Sequence, residues 1–239
     1  MAPFLSIVIP AYNEESRLPS TLQSVFDFLA RQTYESEVIV VDNASRDRTG
    51  EIARARTASH PTLRVEFEST RGKGAAVRRG ILAARGAFRF ICDADLSMPI
   101  EEVRRFLPPL LEGADVAIAS RELSGSVRHG EPAYRHWIGR AFNTLVRWLA
   151  IPGFQDTQCG FKCFRGPVAE DLFRRQRLDG WTFDVEVIFL ALRRGYRIVE
   201  LAIPWYYVPG SRVRVLSDSF AMFFDLLRIR RNWRRGAYA

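Results

Sequence analysis

Short apolar runs alternate with helix-like stretches through the first half of the chain. Residues 5–10 (LSIVIP) and 38–41 (VIVV) have the unbroken apolar character of strands buried on both faces of a sheet. Between them, apolar residues recur at helical spacing from Leu18 to Leu29. Further strands are predicted at 63–67, 88–92 and 115–119, and further helices at 48–58, 75–85 and 101–111. The alternation predicts an α/β domain, in which helices cover both faces of a largely parallel sheet.

Polar residues follow four of these strands at the point where each strand ends. The four turns are residues 10–13 (PAYN), 42–43 (DN), 71–74 (RGKG) and 93–95 (DAD). In a doubly wound sheet, ligands bind beyond the carboxyl ends of the strands. We therefore expect the four turns to line one crevice.

The second half of the chain carries two amphipathic stretches rich in aromatic residues and arginines. The first is a helix predicted near 134–150. The second covers 216–227, with an apolar stripe of Leu216, Phe220, Phe223 and Leu227, and continues into the basic segment 228–235. Between them the pattern predicts a strand at 161–164, a helix at 183–194 and a strand at 198–203. Amphipathic helices commonly pack on a core, but crowded aromatic and basic side chains are typical of helices in a membrane interface. We expect both stretches to contact a membrane surface.

The charge of the chain indicates an anionic partner. Its 239 residues carry a formal net charge of +8, which suits a nucleic acid, a membrane surface or a phosphorylated substrate, or a solvated arginine-rich surface. The three cysteines show no metal-ligand spacing, so disulfides are not expected and a reducing compartment is the default. The sequence shows no signal peptide and no run of about 20 apolar residues, so we expect a cytoplasmic protein bound peripherally to a membrane.

Asp93-Ala94-Asp95 is the central candidate for chemistry. Two carboxylates separated by one residue can bind one hard cation, and Mg²⁺ commonly completes its shell with water and substrate phosphates. Such a cation would neutralise a diphosphate leaving group. A D-x-D triplet is common by chance, so its place at a strand end beside three other polar turns carries the prediction.

Two further residues are candidates for contacts with a nucleotide. Asp42 either caps a helix or accepts hydrogen bonds from a base or a ribose, and the two roles are compatible. Lys73 lies between two glycines before a helix, where an ammonium can meet a phosphate or a base. The segment lacks the spacing of a Walker loop, and no G-x-G-x-x-G follows the first strand, so a dinucleotide-binding fold is disfavoured.

Together these motifs resemble those of family 2 glycosyltransferases of the GT-A fold, which is a Rossmann-like arrangement. The resemblance rests on residues 9–14 (IPAYNE), 41–45 (VDNAS) with Asp47 and Thr49, 71–74 and 93–95. The branch is indicated by residues 119–121 (ASR), 156–162 (DTQCGFK) and 181–186 (WTFDVE). These resemble the dolichyl-phosphate glucosyl- and mannosyltransferases, the glucosyl branch more closely. The match runs from about residue 5 to residue 227.

The resemblance implies a reaction and a division of the chain. The reaction is inverting transfer of a hexose from a nucleotide diphosphate sugar to a polyprenyl or dolichyl phosphate, with UDP-glucose favoured over GDP-mannose and with Mg²⁺ or Mn²⁺ as cofactor. Residues 1–210 would form the GT-A domain, with a nucleotide-sugar half (1–125) and an acceptor half (126–210). Residues 211–239 would form a basic, membrane-associating segment. An anionic membrane surface is a further partner, and nucleic acid is not.

The resemblance also implies roles for single residues. The nucleotide site would be lined by Pro10, Tyr12, Glu14, Asp42, Lys73, Asp93, Ala94 and Asp95. Asp93 and Asp95 would bind the metal, Asp95 more directly, and Arg121 and Arg212 would meet phosphate. Asp156 would lie near the acceptor. Two departures concern Asn43, where many relatives have a second Asp, and Ser97, where mannosyl relatives often have a Gln that binds metal.

The acceptor decides what Asp156 would do. A hydroxyl acceptor needs a general base within hydrogen-bond reach, and Asp156 is the candidate. A lipid phosphate is already mostly ionised near neutral pH, so Asp156 would then orient other groups.

Three alternatives stay open. A soluble family 2 transferase would act on a sugar or a small hydroxyl acceptor. A nucleotidyltransferase would need an arginine-containing glycine loop after the first strand, which residues 10–14 do not provide. A nucleic-acid binder would need one basic stripe and no carboxylate pair in a cleft, so Asp93 and Asp95 argue against it.

Overall fold

The central sheet is built from strands found close to the predicted positions. The strands are β1 (Leu5–Ala11), β2 (Ser36–Asp42), β3 (Leu63–Phe67), β4 (Phe88–Ile91), β5 (Val116–Ser120), β6 (Val127–His129), β7 (Lys162–Arg165), β8 (Ile198–Ala202) and β9 (Pro204–Tyr206). Seven of them form one sheet in the order β3-β2-β1-β4-β7-β5-β8, while β6 and β9 form a separate parallel pair. The structure, a computed structural model, describes residues 2–132, 140, 144, 146, 151, 153–208 and 215–239, and for 215–220 the backbone alone.

Helices cover both faces of the sheet. They are α1 (Leu18–Leu29), α2 (Thr49–Thr57), α3 (Lys73–Ala83), a 3₁₀ helix (Ile100–Phe106), α4 (Gly166–Arg175), α5 (Phe183–Arg193) and α6 (Val215–Arg234). Alternate residues of β1 enter two hydrophobic clusters: Ile7 and Ile9 pack with α1 and the 3₁₀ helix, and Val8 packs with α3, α4 and α5. The predicted α/β class with a mostly parallel sheet is confirmed.

One strand runs against the others. β7 lies between β4 and β5 and is antiparallel to both, whereas the remaining pairs of the sheet are parallel. The apolar pattern predicts a strand at 161–164, but alternation of side chains does not encode strand direction. The reversal brings residues 156–161, which precede β7, to the carboxyl edge of β4 and β5.

The predicted helix at 101–111 is wrong in type and length. The chain forms a 3₁₀ helix that ends at Phe106, and Leu107 is already extended. Pro108 and Pro109 follow, and a proline both lacks an N–H donor and disfavours helical geometry in the residue before it. The predicted strand at 198–203 is likewise shorter, because β8 ends at Ala202 and the chain enters β9 at Pro204.

The apolar stripe expected for the last helix differs from the face that packs. The predicted stripe includes Phe223 and Leu227, but the buried positions are Met222, Leu226 and Ile229, which join the same hydrophobic cluster as α5. Phe224 and Leu227 remain about half exposed, at 53% and 43%. α6 therefore has one face in the core and a second apolar face outside it.

Two sequence predictions lie largely beyond what the structure describes. Most of the helix near 134–150 falls outside the described residues, although 140, 144 and 146 are helical and Val146 is buried. The domain boundary at residue 210 falls there as well and stays a prediction. Among the described residues, no helix is long and apolar enough to cross a membrane.

Candidate active site

Backbone strain marks the carboxyl edge of the sheet. Among the described residues, the non-glycine residues with positive φ are Asn13 (54°), Ala44 (53°) and Leu96 (45°). They follow β1, β2 and β4, respectively, and so lie in loops at one edge. Such conformations cost on the order of 1–3 kcal/mol each and persist where the surrounding structure fixes them, often at functional sites. The predicted crevice is thus also the strained edge.

The loops after β1 and β2 are joined by reciprocal hydrogen bonds. The Asn13 N–H donates to Ser45 Oγ (3.0 Å), and the Arg46 N–H donates back to Asn13 Oδ1 (2.8 Å). The Glu14 N–H donates to Thr49 Oγ1 (2.7 Å). The predicted residues of the first loop are therefore held against the loop that begins with Asp42.

The side chains of this first loop differ in the contacts that they make. The buried Glu14 carboxylate accepts hydrogen bonds from Arg17 Nε and Nη2, at 2.7 and 3.0 Å. Tyr12 is half-buried, and the Arg71 guanidinium lies 5.8 Å from the centre of its ring. Pro10 is half-buried beside Val41 of β2. The Glu14 side chain is thus taken up by Arg17, while the lining of a nucleotide site by Pro10 and Tyr12 stays a prediction.

Asp42 caps its own loop. Its Oδ1 accepts the Ser45 N–H at 3.0 Å, and a Cβ added at Gly50 would overlap its Oδ2. The side chain is 6% exposed. The expected helix cap is not formed, because α2 begins only at Thr49, with Arg48 at its N-cap and no side-chain capping bond. The Asp42 carboxylate instead closes the turn that follows β2, beside Gly50 of α2.

Asn43 has a role that the sequence did not reveal. Its Nδ2 donates to the carbonyl oxygens of Glu68 (3.0 Å) and Thr70 (2.7 Å), and its Oδ1 accepts the Gly72 N–H (2.9 Å). An aspartate could not donate either of the first two bonds. The amide therefore fixes the loop that leads to Lys73, and the departure from the usual Asp has a structural reason.

Asp93 and Asp95 follow β4 in a tight turn. The Ser97 N–H donates to Asp95 Oδ1 (3.1 Å), and Thr21 Oγ1 donates to the Ala94 carbonyl (2.6 Å). Burial and the neighbouring Asp93 carboxylate raise the pKa of Asp95 above its ordinary value. Two carboxylates held together in a partly buried turn are a set that a cation would stabilise.

Gly160 makes room for Asp93. A Cβ added at Gly160 would overlap Asp93 Oδ2, so any side chain at this position would displace the carboxylate. Gly160 precedes β7 within the predicted motif at 156–162. No sequence signal distinguishes it from other glycines, because the contact arises from the antiparallel placement of β7.

Lys73 pairs with Asp93 at the start of α3. The Nζ–Oδ1 distance is 2.6 Å, and Nζ lies 5.7 Å from the centre of the Trp181 ring. Burial alone would lower the pKa of Lys73, but the carboxylates of Asp93 and Asp184 raise it, so the ammonium stays charged. Lys73, whose turn is expected to line the crevice, therefore directly contacts Asp93, one of the two candidate metal ligands.

A second buried lysine extends this charge network. Lys162 Nζ lies 2.6 Å from Asp184 Oδ1 and also donates to the Cys159 carbonyl. Lys73 and Lys162 are the only lysines of the sequence, whose other basic residues are nearly all arginines. Both lysines pair with carboxylates of this network, Lys73 with Asp93 and Lys162 with Asp184. The use of lysine at these two positions is the signal that could have revealed the network.

The described residues fit a divalent cation that is bound partly by the protein and partly by a substrate. They hold no group of three or more His, Cys, Asp or Glu side chains placed to bind a metal. Asp93 and Asp95 supply two carboxylates, which is the number Mg²⁺ uses when substrate phosphates complete its shell. The partly buried, mutually repelling carboxylates fit such an ion.

Arg121 and Asp156 form a second pair beyond β5. Arg121 donates to Asp156 through its backbone N–H (3.1 Å), Nε (2.7 Å) and Nη2 (3.1 Å). The Asp156 side chain is fully buried, and the Gln158 N–H also donates to it. Burial would raise its pKa, but Arg121 outweighs this and lowers it to about 2. Such a carboxylate is a weak base, and this geometry favours the orienting role over the general base.

The two pairs lie close together. Asp156 holds Arg121, and Gly160, four residues later, contacts Asp93. A chain of four residues spans at most about 14 Å, so Asp156 and Gly160 lie within that distance of each other at the carboxyl edge of the sheet. Arg121 also lies 5.6 Å from the Trp205 ring centre, and the Tyr206 N–H donates to the Ser97 carbonyl at 2.7 Å. Arg212 lies outside the described residues, and its contact with phosphate stays a prediction.

Comparison with known proteins finds relatives over most of the chain. Residues 6–173 match the sequence profile of "Glycosyl transferase family 2". The chain is 32% identical to the dolichyl-phosphate beta-glucosyltransferase of Dictyostelium discoideum, over 95% of this chain and 74% of that protein. It is 35% identical to the Drosophila melanogaster enzyme of that name (94% and 74%) and 32% identical to the human one (98% and 77%).

Solved structures with the same fold include glucosyl-3-phosphoglycerate synthase from Mycobacterium tuberculosis. Its complex with Mn²⁺, UDP and phosphoglyceric acid superposes with a TM-score of 0.66 at 21% identity, covering 95% of this chain and 77% of that one. The complex with Mg²⁺ and UDP gives a TM-score of 0.65 at 21% identity, covering 95% and 78%. At this identity the likeness shows the fold, and the predicted GT-A class is confirmed.

Proposed function

We propose that this chain, which belongs to glycosyl transferase family 2, transfers glucose from UDP-glucose to a dolichyl or other polyprenyl phosphate. The observation that carries the proposal is the crevice with two cation–carboxylate pairs, Lys73–Asp93 and Arg121–Asp156, at the carboxyl edge of the sheet. A sugar nucleotide and a lipid phosphate both bring anionic groups to the reaction. The names of the relatives above supply the choice of glucose and of the lipid acceptor.

On the donor side, the chain binds and orients a diphosphate. Asp93 and Asp95 would hold Mg²⁺ or Mn²⁺, which would neutralise the charge that develops on the leaving diphosphate. Lys73 places a permanent positive charge beside Asp93 and can contact the same diphosphate. Tyr12 and Asp42 would line the part of the crevice that takes the nucleoside. The Mn²⁺, Mg²⁺ and UDP present with structural neighbours support this assignment.

On the acceptor side, the chain needs charge neutralisation more than a base. A phosphate monoester has a second pKa of roughly 6, so its oxygen is ready to attack near neutral pH. In a single in-line displacement, this oxygen forms the new bond to the anomeric carbon while the bond to the diphosphate breaks, with inversion. Arg121 would meet the acceptor phosphate, and Asp156 would hold the guanidinium in place. Arg212 would be a second contact.

The exposed face of α6 supports contact with an anionic membrane. Phe224 and Leu227 are exposed there, and Arg228, Arg230 and Arg231 are exposed nearby. Basic residues near an anionic leaflet contribute about 1 kcal/mol each, and apolar side chains add burial in the interface. The lipid acceptor would be reached from this surface.

A radiolabel transfer assay tests the reaction. The protein is incubated with dolichyl phosphate, Mg²⁺ or Mn²⁺ and either UDP-[¹⁴C]glucose or GDP-[¹⁴C]mannose, and labelled lipid is extracted. We expect labelled lipid from UDP-glucose, and its loss when EDTA is added. Label in lipid from GDP-mannose alone would overturn the donor assignment. Transfer to water-soluble acceptors alone would overturn the lipid acceptor and favour a soluble-acceptor enzyme.

A further inference from the structure

The motif at residues 181–186 (WTFDVE) is only partly explained by the site. Its Asp184 belongs to the buried charge network, but Trp181, Thr182 and Glu186 make other contacts. Trp181 and Thr182 lie in the connection between α4 and α5, here named the 176–182 loop, and Glu186 lies in the first turn of α5. This loop lies between α3, which begins with Lys73, and α6.

The 176–182 loop forms one wall of the Lys73 segment. The Ala75 N–H donates to the Asp179 carbonyl at 3.1 Å, and Gln176 Nε2 donates to the Gly74 carbonyl at 2.9 Å. A Cβ added at Gly72 would overlap the Asp179 carbonyl oxygen, and one at Gly74 would lie 2.6 Å from that of Leu178. The two glycines that flank Lys73 are thus required by close backbone contact with this loop.

On its other side the loop is fixed through Glu186. This fully buried carboxylate accepts the N–H groups of Arg177 (3.0 Å) and Leu178 (2.8 Å) on one oxygen. Its other oxygen accepts the hydroxyl of Tyr238 at 2.5 Å. Tyr238 follows α6 and is 2% exposed. Tyr238, which follows α6, therefore donates to the same Glu186 carboxylate that binds the N–H groups of the loop.

Two more contacts join the loop to α6 and the residues after it. Thr182 Oγ1 donates to Asp225 Oδ2 at 2.8 Å, and Arg177 Nη2 donates to the Ala237 carbonyl at 3.1 Å. Between these anchors lies Trp181, whose ring faces Lys73 Nζ. The contacts run without a break from α6, through the 176–182 loop, to Lys73 and Asp93.

We propose that α6 and the residues after it act as a clamp that positions Lys73 for binding the donor diphosphate. Tyr238, Asp225 and Glu186 are positioning residues, because they act through the 176–182 loop and touch no substrate. For the identity of the donor, the inference rests on the proposed function. The same helix carries the face proposed to meet the membrane, so the clamp joins that surface to the donor site.

Two substitutions loosen the clamp without opening a cavity. Tyr238→Phe removes the hydroxyl that donates to Glu186, and Asp225→Ala removes the carboxylate that accepts the Thr182 hydroxyl. The matched control is Ile229→Val, which trims a buried apolar contact of the same helix and leaves all loop hydrogen bonds in place. Hydrogen exchange followed by mass spectrometry, measured without nucleotide, should show faster exchange at residues 72–76 and 177–178 in the double variant only.

The second readout is affinity for UDP in the presence of Mn²⁺, measured by calorimetry. We expect the dissociation constant of UDP and the KM for UDP-glucose to rise about three- to tenfold in the double variant, as for loss of one or two hydrogen bonds. The kcat at saturating donor and the KM for dolichyl phosphate should stay within about twofold.

The outcomes separate the clamp from the proposed function. Unchanged exchange at 72–76 in the double variant would overturn the clamp, as would an equal rise in exchange in Ile229→Val. Unchanged UDP affinity alongside faster exchange would overturn the positioning of Lys73. If the unaltered protein binds UDP–Mn²⁺ no better than buffer controls, the donor assignment fails, while the exchange experiment still decides whether the clamp exists.

Discussion

The two cation–carboxylate pairs of the crevice are built differently. Lys73–Asp93 is a single contact with both partners partly accessible, at 14% and 27% side-chain exposure. Arg121–Asp156 has three hydrogen bonds, and its carboxylate is fully buried. One pair can exchange partners, whereas the other is fixed. A site that takes up a metal–diphosphate needs the first kind, and a site that presents a charge to an incoming phosphate needs the second.

The contrast extends to the pKa values of the acidic residues. Burial and Asp93 raise the pKa of Asp95, so a cation at this point relieves an unfavourable arrangement. Despite its burial, Asp156 has its pKa lowered to about 2 by Arg121, so its charge is already compensated within the protein. We propose that a ligand completes the first region, whereas the Asp156 carboxylate is compensated by Arg121 alone. Five experiments can break or sharpen this contrast.

The largest effect is expected at the exchangeable site. Asp95→Asn keeps the shape of the turn but removes the charge that a cation needs. We expect kcat to fall about 10²–10³-fold, because several kcal/mol of charge stabilisation on the leaving group is lost. Initial rates with saturating donor measure this. Asp27→Asn, at an exposed position of α1, is the control, and equal activity of the two variants would remove Asp95 from the site.

A glycine beside the other carboxylate, Asp93, should come next. Gly160→Ala places a methyl group where Asp93 Oδ2 lies, so the carboxylate must move. We expect kcat/KM for the donor to fall about 10–100-fold, as when the support of a metal ligand is disturbed. Gly180→Ala is the matched control, since a Cβ there meets nothing within 4 Å. If both variants are equally active, the contact between Gly160 and Asp93 has no functional weight.

The fixed pair should respond more mildly in turnover. Loss of a general base would cost 10²–10⁴-fold, whereas we expect Asp156→Asn to lower kcat less than about tenfold. The KM for the lipid phosphate should rise instead, because Arg121 loses its support. A collapse of kcat with an unchanged acceptor KM would restore Asp156 as the base.

The same variant has a pH signature in stability. A carboxyl whose folded pKa lies below its unfolded value of about 3.9 adds stability above that pH and loses it as the pH falls toward the folded value. With a folded pKa of about 2, Asp156 contributes roughly 2–3 kcal/mol near neutral pH. Denaturant unfolding should therefore show a constant difference from Asp156→Asn between about pH 5 and 8 that shrinks between about pH 4 and 2.

The smallest effect on turnover is expected where charge is kept and shape is changed. Lys73→Arg retains the positive charge but puts a planar guanidinium in a space bounded by Gly72, Gly74 and Trp181. We expect the donor KM to rise about tenfold with little change in kcat, since binding rather than chemistry is altered. Arg79→Lys, an exposed residue of the same helix, should change neither constant. A normal KM in Lys73→Arg would show that the space is not selective.

The sequence predicts the crevice well because its signals are local. Buried strands read as apolar runs, and the polar turns after them meet at one edge in any parallel sheet, so Asp42, Lys73, Asp93 and Asp95 follow from the pattern. The structure brings these residues to that edge. The resemblance to a family, carried by the same motifs, is confirmed by the relatives reported above.

What the sequence does not predict depends on contacts between distant segments. The antiparallel direction of β7 decides that Gly160 touches Asp93 and that Asp156 lies beside Arg121, and periodicity carries no direction. The buried face of α6 differs from the predicted stripe because two apolar faces compete, and only packing on α5 selects Met222 and Ile229. The amide role of Asn43 depends on carbonyl groups of another loop.

The central claim is that Asp93 and Asp95 hold a divalent cation together with the donor diphosphate. The direct test is Mn²⁺ binding followed by electron paramagnetic resonance, with and without UDP, in the unaltered protein and in Asp95→Asn. We expect the unaltered protein to bind one equivalent of Mn²⁺ much more tightly with UDP present, and Asp95→Asn to lose that gain. Mn²⁺ binding that is unaffected by UDP, or unaffected by Asp95→Asn, would contradict the claim.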